Sequence, residues 1–131
     1  MRTRTLVFLA VVVVVASGVA SVALAAGSVG GTYVTTIKSP TQLKGTWKLT
    51  LAKNGTYAVA LNGKALARGR YSATPTTITM RESADPGCGG TGTYAWTRSG
   101  KTMRFVRKRE VPACQARAAV LSHRFTQVSS R

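Results

Sequence analysis

From Gly45 to Tyr71 the chain reads GTWKLTLAKNGTYAVALNGKALARGRY, with large apolar residues recurring at alternate positions and polar or small residues between them. A period of two is the pattern of strands that are wet on one face and buried on the other. In the first of them Trp47, Leu49 and Leu51 mark the inward face, and Thr46, Lys48 and Thr50 the outward one. Lys53-Asn54-Gly55 turns the chain, and Tyr57, Val59 and Leu61 resume the alternation. Asn62-Gly63 then predicts a tight hairpin, because both residue types tolerate positive φ. The following strand, Lys64 to Ser72, breaks the parity. A two-residue turn pairs Val59 with Leu66 and Tyr57 with Arg68, which leaves Tyr71 on the opposite face; Gly69 is the expected site of a bulge that resets it.

Downstream, Thr74-Pro75 ends that run, and Ile78 and Met80 mark the apolar face of another strand through Glu82. Residues 83–92, rich in glycine and proline, can hold no regular element and predict a loop that carries Cys88. A hairpin about Ser99-Gly100 places Trp96 opposite Met103 and Tyr94 opposite Phe105. Pro112 opens a short Ala-rich helix over Ala113 to Leu121, with Cys114, Arg117, Ala118 and Leu121 on one face. A last strand from Ser122 to Val128 carries Phe125 inward. Upstream, Tyr33 to Ile37 is β-branched and aromatic and predicts a first strand or an edge segment. Seven or eight antiparallel strands joined mainly by tight hairpins must bury their apolar faces against one another. The fold class predicted is all-β: an antiparallel up-and-down barrel of seven or eight strands with one short helix before the last, favoured over a Greek-key sandwich.

The N-terminus changes the picture of where this domain works. Arg2 and Arg4 precede an apolar run from Leu6 to Val15, and small residues lead to Ala23-Leu24-Ala25, the layout of a secretory signal peptide over residues 1–25. The alternative is an uncleaved anchor, since Leu6 to Ala26 carries no charge and is just long enough to span hydrocarbon; membrane contact is expected only through that segment. Residues 26–44 then form a flexible leader with a candidate edge strand, and residues 45–128 the barrel domain. The expected location is extracellular. There Cys88 and Cys114, the chain's two cysteines, are expected to pair. Closing that loop contributes about 3–4 kcal/mol on the chain-entropy model. Metal ligation by two cysteines and the lone His123 is the weaker alternative, because a structural zinc site takes four ligands at closer spacing.

Lys and Arg number 19 against three acidic residues, and loss of Arg2 and Arg4 with the leader leaves a formal charge of +14. Such a field favours anionic envelope polymers or an acidic protein outside the cell; nucleic acid is not the expected partner there. The basic residues that stand together are Arg98, Lys101, Arg104, Arg107, Lys108 and Arg109. Catalysis has little support. His123 is the only histidine, the carboxylates are Glu82, Asp85 and Glu110, and neither a Gly-x-Ser-x-Gly elbow nor a phosphate loop is present. No cofactor is implied, and the chain is not expected to be an enzyme.

Gly45-Thr46-Trp47 opening the first long strand, the β-meander after it, and GTYAWTRSGKTMRF followed by Cys114-Gln115-Ala116-Arg117 resemble small secreted actinobacterial lipocalin-like proteins, members of the calycin class. The likeness spans Gly45 to Val128. It implies a closed barrel in which the Arg117 guanidinium covers the Trp47 indole, a contact worth about 0.5–2 kcal/mol. In that family the late segment reads Asp-x-Cys-x-x-Arg; here Glu110-Val111-Pro112-Ala113 stands in place of the acid, which leaves a carboxylate partner for Arg117 open. The resemblance also implies a small apolar ligand in the interior, lined by Tyr57, Val59, Leu66, Met80, Trp96, Met103 and Phe105. The alternatives are an interior filled by the chain's own side chains, and a basic adaptor or inhibitor module that docks on an acidic partner through its surface.

Overall fold

A computed structural model describes residues 29–130; the segment read as a signal peptide, residues 1–25, lies outside them. Eight strands form a closed barrel in sequence order: β1 (Gly31–Ile37), β2 (Gly45–Leu51), β3 (Thr56–Leu61), β4 (Lys64–Ala73), β5 (Thr77–Glu82), β6 (Thr91–Ser99), β7 (Thr102–Arg109) and β8 (Phe125–Ser129). All pairings are antiparallel, and β8 returns to β1. Closure removes the sheet edges that an open meander of this kind would expose. Between β7 and β8 run a 3-10 turn, Pro112–Cys114, and a short helix α1, Gln115–Leu121. Among the described residues no helix is long and apolar enough to cross a membrane.

The inward face follows the alternation of the sequence. Tyr33, Ile37, Trp47, Leu49, Leu51, Tyr57, Tyr71, Ile78, Met80, Tyr94, Trp96, Met103, Phe105 and Phe125 are buried in one cluster, which Val120 and Leu121 of α1 join from one end. Three local details bear on the sequence expectation. First, of the two readings of the upstream segment, a first strand or an edge segment, the structure has the first: β1 is paired on both sides, with Tyr33 opposite Leu49 of β2 and Gln127 of β8.

Second, the bulge in β4 sits at Leu66 and not at Gly69: Ala60 pairs with Ala65, Val59 with Ala67, and Tyr57 with Gly69. Leu66 therefore does not face Val59, and 36% of its surface is exposed. Gly69 serves a different purpose, since a Cβ there would collide with the Arg81 carbonyl of β5. Third, the β6–β7 turn is Gly100-Lys101, led by a glycine at φ +58°. That glycine suits the first central position of a two-residue hairpin. The register slides by two residues, so Trp96 faces Phe105, and Met103 faces Arg98. A slide of two preserves parity, so every inward residue stays inward.

Candidate functional site

The two ends of the barrel differ. At the end formed by the β2–β3, β4–β5 and β6–β7 turns, three aromatic side chains point at the rim and each donates a hydrogen bond to a rim carbonyl. Tyr33 Oη donates to Val29 O at 2.7 Å, Tyr71 Oη to Ala52 O at 2.6 Å, and Trp96 Nε1 to Thr74 O at 2.9 Å. Aromatic rings with one polar tip suit this position, because the body fills the interior while the tip still finds a backbone acceptor at the rim. Burial raises the hydroxyl pKa of both tyrosines, an effect that Arg98 beside Tyr33 partly offsets.

At the other end lies a cavity of about 360 Å³. Its wall is largely apolar: Trp47 and Leu49 from β2, Val59 from β3, Met80 from β5, Phe125 from β8, and Val120 and Leu121 from α1 as its cover, with Lys48, Glu82 and Arg117 as the charged residues of the lining. Leu66 stands at the lip, and the Cys88–Cys114 bridge forms part of the rim. The bridge ties the β5–β6 loop to the start of the helical segment, so cover and rim are one covalent piece. Trp47 is 7% exposed, and its Nε1 donates to Leu43 O at 2.7 Å.

Of the seven residues expected to line a ligand space, Val59, Leu66 and Met80 border this cavity. Tyr57, Trp96, Met103 and Phe105 are buried but lie outside the cavity wall; Phe105 packs edge-on against Phe125 with ring centres 6.0 Å apart. The interior is therefore filled at one end and hollow at the other. Trp47, Leu49 and Phe125 were visible as inward positions in the sequence, but nothing in the alternation says which inward positions border empty space.

Arg117 does not lie over Trp47 as its partner. Its Nε donates to Glu110 Oε2 at 2.9 Å and its Nη2 to Glu110 Oε1 at 2.7 Å, the two-pronged geometry for which a guanidinium is built. Its Nη1 reaches Gly90 O at 3.2 Å and Tyr57 Oη at 3.4 Å. The physical reason is burial. The Glu110 side chain is 0% exposed and that of Arg117 6%, and a buried carboxylate needs a hydrogen-bonded counter-charge more than an indole needs a cation. The missing partner of Arg117 is thus Glu110, at a spacing that Pro112 made hard to read, and Gly92 supplies the room its carboxylate occupies.

The network extends further. Tyr94 Oη donates to Glu110, while Tyr57 Oη donates to Glu82 Oε1 at 3.3 Å, and Glu82 Oε2 accepts from the Cys88 backbone N–H at 2.6 Å. Burial pushes the Glu110 carboxyl upward, but hydrogen bonds from Arg117, Tyr94 and the Val111 N–H outweigh it and hold the carboxyl below its ordinary range. Burial and the neighbouring carboxylates push Tyr57 and Tyr94 well above a normal phenol. Burial alone would lower Arg117, yet Glu110 and Tyr57 raise it. Among the described residues no buried side-chain nitrogen or oxygen lacks a partner.

The other candidates are separate from this site. Glu82, Cys88 and Cys114 approach one another closely, but both sulfurs belong to the disulfide and offer no thiolate to a metal. His123 Nδ1 lies 3.1 Å from Ala119 O at the end of α1. Arg98, Lys101, Arg104, Arg107, Lys108 and Arg109 are all exposed on β6, β7 and their turn, and Arg107 reaches Gln115 Oε1 at 3.4 Å. No family model, curated protein or solved structure matches the chain.

Proposed function

We propose that this chain is an exported lipocalin-like carrier that holds a small, uncharged, apolar molecule in the cavity beneath α1. The observation that carries the reading is the 360 Å³ hollow with largely apolar walls at one end of a barrel whose other end is plugged. Small-molecule sites are concave, largely apolar and preformed, and the mouth of a β-barrel is a common place for them. The polarity of the ligand follows from the wall. Four of the five N–H groups of Arg117 are engaged by Glu110, Gly90 and Tyr57, so the Arg117 charge is already matched. A ligand carboxylate would have to displace Glu110 and leave it buried and unpaired. Catalysis forms no part of the reading, since His123 faces the last turn of α1.

The test is titration of the purified chain with a neutral solvatochromic dye, chosen so that the basic surface does not recruit it. The expected result is saturable one-to-one binding with a blue-shifted emission. Val59→Phe or Ala67→Phe, which add volume to the cavity wall, should weaken it by about tenfold or more while the thermal transition stays cooperative. Absence of saturable binding, or binding indifferent to both fillings, would overturn the proposal.

A further inference from the structure

The outer wall carries a second concavity, distinct from the cavity under α1 though Glu82 borders both. It is a groove of about 740 Å³ across β2, β3, β4 and β5, and Arg68, Arg70 and Arg81 line it. Arg70 and Arg81 are direct cross-strand partners, and Arg68 lies two residues along β4 on the same face. Opposite positions place side chains about 5 Å apart, and two residues along a strand about 7 Å. Like charges directly opposite one another destabilise a sheet. None of the three has a side-chain hydrogen-bond or ion-pair partner among the described residues, where the one salt bridge is Arg117–Glu110. Glu82 is the carboxylate of the lining; its oxygens accept from Tyr57 Oη and the Cys88 N–H and bond none of the three guanidinium groups, which outnumber it.

The neighbours on β3 are small. Arg70 stands across from Thr56 and Arg68 across from Ala58, with Thr50 and Ala52 beyond them. All three arginines are exposed. Three unmatched planar cations side by side in a recess are a receptor for oxyanions, because each can bind one phosphate oxygen pair in a two-pronged fashion. The recess also selects the form of the anion. A flat bilayer would meet the convex parts of the barrel first, whereas a thin chain can lie along the groove.

We propose that this groove is a binding site for a linear oligophosphate, a soluble chain of linked phosphate groups, and that it works independently of the apolar cavity. The probe is inorganic tripolyphosphate, titrated calorimetrically into the purified chain at physiological salt, where the general field of the protein is largely screened. The variant R68Q/R70Q/R81Q is compared with R107Q/K108Q/R109Q, which removes the same number of charges from β7. The groove variant is expected to lose affinity by about tenfold or more and the β7 variant by less than about threefold. The groove variant should also keep or raise its thermal midpoint, because it removes a repulsion, and tripolyphosphate should raise the midpoint of the parent and of the β7 variant only.

Equal losses in the two variants would overturn the proposal in favour of a diffuse basic field. A groove-dependent association with phosphatidylglycerol vesicles, with tripolyphosphate binding unchanged or absent, would overturn it in favour of a lipid surface. Neutral-dye binding by the groove variant should match the parent, so failure of this site and failure of the cavity are distinguishable.

Discussion

Glu110 and Arg117 show how far a single pair can organise one end of this barrel. The helix that covers the cavity is short, seven residues from Gln115 to Leu121, and a helix of that length has little stability of its own. Its position comes from Val120 and Leu121 in the core and from the Arg117 guanidinium, which grips Glu110, Gly90 and Tyr57 together. Glu110→Gln removes the charge but keeps the shape, leaving a buried guanidinium without its counter-ion; the expected loss is roughly 3 kcal/mol in chemical denaturation. The pH dependence has a definite sign. The folded pKa of Glu110 lies below the ordinary 4.5, so its contribution is fully present above that value and is lost as pH falls through the lower folded one. Tyr57 and Tyr94 are raised above 10.0, so theirs is present below that pH and lost as pH rises beyond it. Stability should therefore form a plateau with an acid and an alkaline limb, and Glu110→Gln should flatten the acid limb. An acid limb as steep in the variant as in the parent would contradict the assignment.

Among the elements, β4 is where local sequence and final structure part company, and it explains what was legible. β2, β3, β6 and β7 were readable because Trp47, Leu49, Leu51, Tyr57, Tyr94, Trp96, Met103 and Phe105 contrast sharply with the polar residues between them. β1 was less so: Thr35 faces inward at 8% exposure, and threonine signals neither face. In β4 the run Ala65-Leu66-Ala67 has no polarity contrast to mark which residue is extra, so the bulge could be inferred from the parity of Tyr71 but not placed. The glycine that looked like its site is instead the point where β4 and β5 come closest. Gly69→Ala would force a Cβ against the Arg81 carbonyl, which is backbone and cannot swing aside, and should destabilise the chain by about 1–3 kcal/mol. Leu66→Ser, at the half-exposed bulge, should change stability by under about 1 kcal/mol. Both are read from denaturation midpoints, and equal effects would mean that the bulge, not the close approach, governs the strand.

At the scale of the whole molecule, the hollow end could not be foreseen, because it depends on where α1 comes to rest and on three aromatics having filled the opposite end. Those are tertiary outcomes of a chain that closes on its last strand, and that closure is uneven. β8 contributes five residues, pairs with β7 at two positions and with β1 at three, with a register shift between them. The segment before it is held by Arg117 and by the Cys88–Cys114 bridge, which spans 26 positions. For a loop of that size the bridge contributes about 3.5 kcal/mol on the chain-entropy model. Its position makes the contribution local as well as global, since it fastens the cover of the cavity to the β5–β6 loop and so restrains the route into β8. Reduction should therefore loosen the molecule in order. In hydrogen exchange, amides of α1 and β8 should lose protection first and by the largest factor, while β2, β3 and β6 change only by the global decrease. Neutral-dye affinity should fall in parallel, because the cover forms one wall of the cavity. A uniform loss of protection over all eight strands would show instead that the bridge acts only on the unfolded chain, and that β8 is as firmly seated as the staves it joins.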